Sequence, residues 1–373
     1  MPDGRIASSA IARRRLRAQL LVGSALERPV DVVRWMGAVQ AQDYPGSLWA
    51  IGVRMAEAIE RRVEQAVADR SIVRTWPIRG TLHFAAASDV RWLLEHLTPR
   101  VRAAHARREQ REYGLDRAAL RQSRRVVEQI LKDGRPLSRP ALYEAMERAG
   151  VRTGGQRGYH ILWWLAQESV ICLGPRDGKQ PTFVLLDAWV PPSPGRPREE
   201  ALAELATRYF TSHGPATVPD FAWWSGLTRT EAARAIAAVK EHLDQESHGG
   251  TPHWFLPASG PIPSTRTAFL LPAWDEYTVA YRERGAILRP ESAPRQTRSE
   301  NVLNPVLVIG GQIAGTWTRS LAGGTAQITL RPFGKLNESD RAKLSRAAKR
   351  YGAFLQLPVR EKVSRTSRPG PNA

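Results

Sequence analysis

Residues 57–85 read EAIERRVEQAVADRSIVRTWPIRGTLHFA, and two periodicities meet inside this stretch. Over 57–68 the apolar residues return at helical spacing. The following segment, 72–85, is rich in β-branched and aromatic side chains and is broken by Pro77 and by Arg79-Gly80, as a two-stranded wing would be. Upstream, residues 11–22 (IARRRLRAQLLV) and 31–39 (DVVRWMGAV) read as amphipathic helices, with Asp31 a suitable N-cap for the second. Helices followed by a hairpin are the order of a winged helix, in which one helix enters a DNA groove and the hairpin touches the backbone.

The order recurs downstream. A helix over 116–131 leads through Gly134-Arg135-Pro136 into PALYEAMERAG, then Gly154-Gly155 opens GYHILWWLAQESV, and strand-like VICLG and TFVLLD follow. A helix over 198–212 leads through Gly214-Pro215 into VPDFAWWSGL, and Thr228 with Glu231 forms a capping box at the start of TRTEAARAIAAV. Strands are expected after it at 253–257 and 267–272. The repetition predicts an α+β protein of three tandem winged-helix domains in a C-shaped array, with a small C-terminal α+β cap. The boundaries are 8–97 for the first unit, 98–190 for a basic connector with the second, 197–273 for the third, 274–357 for the cap and 358–373 for a flexible tail. Within the cap, Gly310-Gly311 signals a hairpin turn inside 302–319, ITLRPF (328–333) is a third strand beside it, and 339–355 is a basic helix.

The chain has 373 residues, so it holds two or three domains. Its formal charge of +19 favours a polyanionic partner, nucleic acid first. Most of its cations are arginine, which a GC-rich genome would also produce, but codon bias explains the type of cation and not the excess. One cysteine, Cys172, excludes a disulfide framework, Cys-rich zinc modules and iron–sulfur clusters. With no apolar run long enough for a membrane span and arginines where a signal-peptide core would lie, a cytoplasmic, nucleoid-associated protein is expected.

The connector gathers Arg100, Arg107, Arg108, Arg111, Arg121 and Arg124, with Glu109 and Glu112 as partners for some of them. A solvated connector helix is one reading. Phosphate contact is the other, favoured because these arginines outnumber their local partners.

Chemistry points to Gln40 and Gln42. Pro45 pushes Tyr44 out of the helical region, so the preceding helix ends before it. In an extended stretch residues i and i+2 point the same way, which would bring both amides to one site. Two amides could hold a water and contact a sugar or phosphate. Spacing alone equally admits amides that satisfy backbone groups at a helix end.

Five strings in order carry a resemblance: Gln40-Ala41-Gln42-Asp43, RTWPIRGTLH (74–83), HGPATVPDFAWWSGL (213–227), LPAWDEY (271–277) and Gly315-Thr316-Trp317. Together they resemble the AlkZ-like winged-helix DNA glycosylases, over nearly the whole chain. The resemblance implies duplex DNA as partner and excision of bulky or crosslinking N7-alkylguanines by a monomeric, monofunctional glycosylase with no metal or cofactor. It further implies that Gln40 places a water and Gln42 makes a supporting contact. Such mild groups suffice because N7 alkylation makes guanine a good leaving group, leaving the enzyme to position water and stabilise an oxocarbenium-like transition state. Access to the base by flipping or from the groove stays open.

Arg74, Arg79 and His83 on the first wing are read as phosphate contacts, with structural pairing the alternative. Asp275-Glu276 could serve another hydrolase, although adjacent carboxylates point apart. His248 and His253 lack a third ligand for zinc. Trp163-Trp164 and Trp223-Trp224 read as core. A non-catalytic DNA-binding regulator remains the rival to the glycosylase.

Overall fold

Three successive segments are each built around a short first strand or bridge that pairs with the far strand of the segment's own hairpin. After helix α1 (Gly4–Ala18), the first segment runs α2 (Pro29–Met36), β1 (Val39–Gln40), α3 (Tyr44–Gly52), α4 (Glu60–Ala68), β2 (Ile72–Ile78) and β3 (Thr81–Ala86). β1 lies antiparallel to β3, with Val39 opposite Phe84 and Gln40 opposite His83. Arg79 and Gly80, both at positive φ, make the hairpin turn. Pro77 does not break β2: it sits where the β2–β3 register shifts, between Thr75 and Ile78, so no ladder hydrogen bond is demanded of it.

The same succession follows twice. A 27-residue helix, α5 (Ala87–Tyr113), carries Pro99 in its interior and leads to α6 (Arg117–Ile130), whose N-cap Asp116 accepts from the Ala119 N–H. Then come β4 (Leu137–Ser138), α7 (Arg139–Arg148), α8 (Arg157–Gln167), β5 (Ile171–Leu173) and β6 (Thr182–Leu185), with β4 on β6. After α9 (Leu186–Trp189), the third succession is α10 (Arg198–His213), a bridge at Ala216, α11 (Val218–Ser225), α12 (Arg229–Ala237), β7 (Asp244–His248) and β8 (Thr251–Phe255). Ala216 pairs with Trp254 on β8. Both α11 and α12 start with capping boxes, Thr217 with Asp220 and Thr228 with Glu231.

The architecture is thus mixed α+β, in a computed structural model that describes residues 4–257, 267–288 and 303–364. The first two hairpins join edge to edge through Arg74 opposite Leu173, giving one six-stranded sheet of order β1-β3-β2-β5-β6-β4. The third hairpin differs from the expected strands at 253–257 and 267–272. Gly249 and Gly250, at φ of 57° and 79°, close β7 on β8, and the later strand, β9 (Ala268–Leu271), goes to a different sheet.

That sheet is completed by β10 (Val306–Ile309), β11 (Gln312–Ala322) and β12 (Thr325–Pro332), with α13 (Glu276–Val279) and α14 (Glu338–Leu355) against it. Residues 359–363, expected in the tail, form β13 (Val359–Val363), which pairs in parallel with β12 from Ala326–Val359 to Leu330–Val363. The tail beyond Ser364, and Val302 at the start of the expected hairpin, lie outside the described residues.

Packing binds the ends of the chain together. Val32, Val33, Met36, Trp49 and Phe84 from the first segment share one core with Leu270, Leu307, Trp317, Tyr351 and Phe354 from the C-terminal sheet and α14. Val73, Ala85 and the first turns of α5 pack with α10–α12 in a second core, and the second segment has a third. Among the described residues, no helix is long and apolar enough to cross a membrane.

Candidate active site

α2 ends at Met36 and the chain is extended at Val39–Gln40, while Gln42 lies past the strand in the bend that leads to α3. Ladder bonding continues past the strand, with the Ala41 N–H donating to the Leu82 carbonyl at 2.7 Å. The two amides then differ. Gln42 is exposed, and its Oε1 accepts from the Leu82 N–H at 3.3 Å, which turns its NH2 end outward. Gln40 is 7% exposed, and its Oε1 is buried without a hydrogen-bond partner in the protein.

Behind Gln40 stands Glu276, at the first turn of α13. Its Oε1 accepts from the Gln40 backbone N–H at 2.8 Å and its Oε2 from the Trp224 indole at 3.0 Å. His213 Nε2 lies 3.7 Å from the same Oε2. Burial alone would push this carboxyl up, but His213, His83 and the Gln40 N–H outweigh it and hold it at about 2. An ionised carboxylate therefore sits at the edge of β1, against the Gln40 backbone. Its neighbour Asp275 points elsewhere: it takes both arms of Arg54, at 2.7 and 2.8 Å, with both side chains fully buried, and caps α13 through the Tyr277 N–H. The two carboxylates are separate supports and not an acid/base pair.

The first-hairpin residues expected at phosphates each have a partner within the protein. Arg74 is buried and gives Nε and Nη2 to the Ala41 carbonyl, at 3.0 and 2.6 Å. Burial lowers its pKa to about 10. Arg79, half-buried, donates to the carbonyls of Trp223 and Trp224. His83 is fully buried, with Nδ1 2.9 Å from the Thr81 carbonyl, and burial with the nearby Arg79 charge brings its pKa down to about 4. All three turn to protein groups, Arg74 to the residue after β1 and Arg79 to the end of α11, a packing that strand alternation alone does not disclose. Arg74 binds the motif's backbone, Arg79 the end of α11 and His83 its own hairpin, and the outward face is left to other groups.

One such group was not legible in the sequence. Arg176, in the β5–β6 turn, places its guanidinium 4.7 Å from the Tyr44 ring centroid, with Arg74 5.2 Å from the same ring. Only the joined six-stranded sheet brings that turn to the glutamines. The tryptophan pairs also split: Trp163 and Trp224 are buried, Trp164 is half-buried, and Trp223 is 46% exposed with its indole donating to the Val279 carbonyl.

The connector arginines stand on α5 and α6 and are exposed. Arg108 and Arg111 share Glu112, at 2.7 and 3.1 Å, Arg124 meets Glu128 at 2.9 Å, and Arg100 lies 3.9 Å from Glu231. Glu109 does not serve them. It turns inward to His160 at 3.0 Å, and burial pushes its carboxyl up to about 7. Arg107 and Arg121 have no ion-pair partner among the described residues. Among those residues no group of three His, Cys, Asp or Glu side chains is placed to hold a metal ion.

A family model described as DNA glycosylase AlkZ-like matches residues 33–354. The interstrand DNA cross-link repair glycosylase of Streptomyces sahachiroi is 26% identical over 382 residues, covering 93% of this chain and 96% of that protein. In fold, the chain is similar to the solved structure of the Streptomyces sahachiroi DNA glycosylase AlkZ, with a TM-score of 0.75, 22% identity, and coverage of 95% of this chain and 99% of that one.

Proposed function

The chain belongs to the AlkZ-like DNA glycosylase family, and from that premise we propose that it hydrolyses the N-glycosidic bond of bulky N7-alkylated purines in duplex DNA, crosslinked ones included. The reading of crosslinks draws on the relative, whose name assigns it interstrand cross-link repair. Gln40 and Gln42 are the residues that meet the reacting nucleotide, Gln40 placing water and Gln42 contacting sugar, water or phosphate.

The observation that carries this reading is two amides two residues apart beside β3, one exposed and one buried, with a buried ionised carboxylate on the Gln40 backbone N–H. A positively charged N7-alkylguanine departs readily, so the site needs to orient water and favour developing positive charge on the sugar. Glu276 supplies fixed negative potential from behind, and the amides supply orientation without a strong base.

The threefold succession of helix, strand, two helices and hairpin supports three winged-helix units, and the relative's likeness of fold supports a shared arrangement. In this reading the units form a C-shaped array whose inner face, with Arg100, Arg107, Arg108, Arg111, Arg121 and Arg124, follows the DNA backbone, and the enzyme acts as a monomer. Incubation with duplex carrying an N7-alkylguanine, followed by mild alkali, tests the reaction. Strand cleavage above spontaneous depurination is expected, and its absence from methylated, bulky and crosslinked duplexes alike refutes it.

A further inference from the structure

Three buried polar atoms without a protein partner line up across the strands beneath Gln40. They are Gln40 Oε1, Thr75 Oγ1 and His83 Nε2. In the ladders Gln40 is directly opposite His83, and His83 is directly opposite Thr75. Residues paired this way share one face of the sheet with Cβ atoms about 4.5–5.5 Å apart. Thr75 and His83 are fully buried.

Their hydrogen-bonding capacities are complementary to one small molecule. His83 Nδ1 faces the Thr81 carbonyl, which can only accept, so Nδ1 carries the ring hydrogen and Nε2 offers a lone pair. Gln40 Oε1 also only accepts, so these two atoms cannot satisfy each other. Thr75 supplies one hydroxyl hydrogen. The set lacks two donors and has one donor to spare, and water has two hydrogens and two lone pairs.

We infer that Gln40, His83 and Thr75 hold one buried water, which donates to Gln40 Oε1 and His83 Nε2 and accepts from the Thr75 hydroxyl. This water locks the Gln40 carboxamide with its carbonyl inward and its NH2 outward, as the Leu82 N–H does for Gln42. Both glutamines then present amide donors to the substrate, suited to oxygen lone pairs of water, sugar or phosphate. His83 and Thr75 are positioning residues that act through Gln40. The inference rests on the role proposed for Gln40 above.

The test uses the full-length protein, a bulky N7-alkylguanine duplex under single-turnover conditions, and a separate measurement of DNA affinity. Thr75→Val keeps the shape and removes the hydroxyl, and His83→Leu removes the acceptor. Each is expected to slow excision by about 10- to 100-fold, the scale of misplacing a reacting group, with DNA affinity changed less than about twofold. His83→Gln, which returns an acceptor, is expected to excise faster than His83→Leu. Wild-type excision by Thr75→Val overturns the inference, above all if that variant also melts higher than wild type, as deletion of an idle buried hydroxyl would make it. Loss of excision in Gln40→Ala alongside normal rates in Thr75→Val removes only the water. Normal excision in Gln40→Ala removes the reading of the site itself. If wild type releases no base, a crystal structure resolving ordered water decides: density within hydrogen-bond reach of Gln40 Oε1 and His83 Nε2 supports the inference, and its lack overturns it.

Discussion

Glu276 and Asp275 are neighbours in sequence with separate duties, and each makes its own prediction. Glu276 holds a pKa of about 2 against an ordinary 4.5, so the stability it contributes is complete above about pH 4.5 and is lost as pH falls toward 2. The stability gap between wild type and Glu276→Gln, measured by urea unfolding, should therefore narrow as pH falls through that window. His83 acts in the same direction at higher pH. Its pKa of about 4 lies below the ordinary 6.5, so the unfolded chain takes up the proton first and stability declines from about pH 6.5 down to 4. Asp275 depends on Arg54. Arg54→Met leaves that carboxylate buried and unpaired, and denaturant unfolding should show a loss of about 3–5 kcal/mol. At this scale the sequence disclosed Gln40 and Gln42 as a motif but not their supports. Glu276 meets Gln40 across 236 positions of chain and Arg54 meets Asp275 across 221, separations at which spacing rules are silent. The first-hairpin residues Arg74, Arg79 and His83 were visible as polar groups in a strand, yet only the fold shows that they turn to protein groups.

Among the elements, the repeated helices, the Thr228–Glu231 capping box and the Gly310-Gly311 turn were legible because their signals are local. The joining of two hairpins into one sheet and the pairing of β13 with β12 were not, because sheet partners are chosen by tertiary contact. Gly315 shows what a string in the family pattern encodes. A Cβ there would stand 2.4 Å from the Arg331 carbonyl and 2.6 Å from the Pro332 Cα, so β11 and β12 can approach only with glycine. Gly315→Ala should destabilise the protein by about 1–3 kcal/mol, read as a lower urea midpoint. On α5 and α6, Arg107 and Arg121 lack the carboxylate partners that hold Arg108 and Arg124. If they meet phosphates, each Ala substitution lowers the slope of log affinity against log salt by about one, uniformly across DNA sequences. An unchanged slope would assign them to a solvated face.

For the whole molecule, the +19 charge explains attraction to DNA but not reaction. Part of it is spent inside: Arg15, Arg54 and Arg74 are buried. The remainder is carried largely on exposed helices, while the proposed chemistry belongs to two uncharged side chains at the edge of the six-stranded sheet. That sheet joins the first two segments, and a shared core joins the first segment to the C-terminal sheet, so the glutamines are held from both sides. The most direct test of this division is base release from an N7-alkylguanine duplex by wild type and by Gln40→Ala/Gln42→Ala, with affinity for the same duplex measured in parallel. If the division holds, wild type releases base, the double variant does not, and DNA affinity is retained within a few fold. Release by the double variant at the wild-type rate would contradict it.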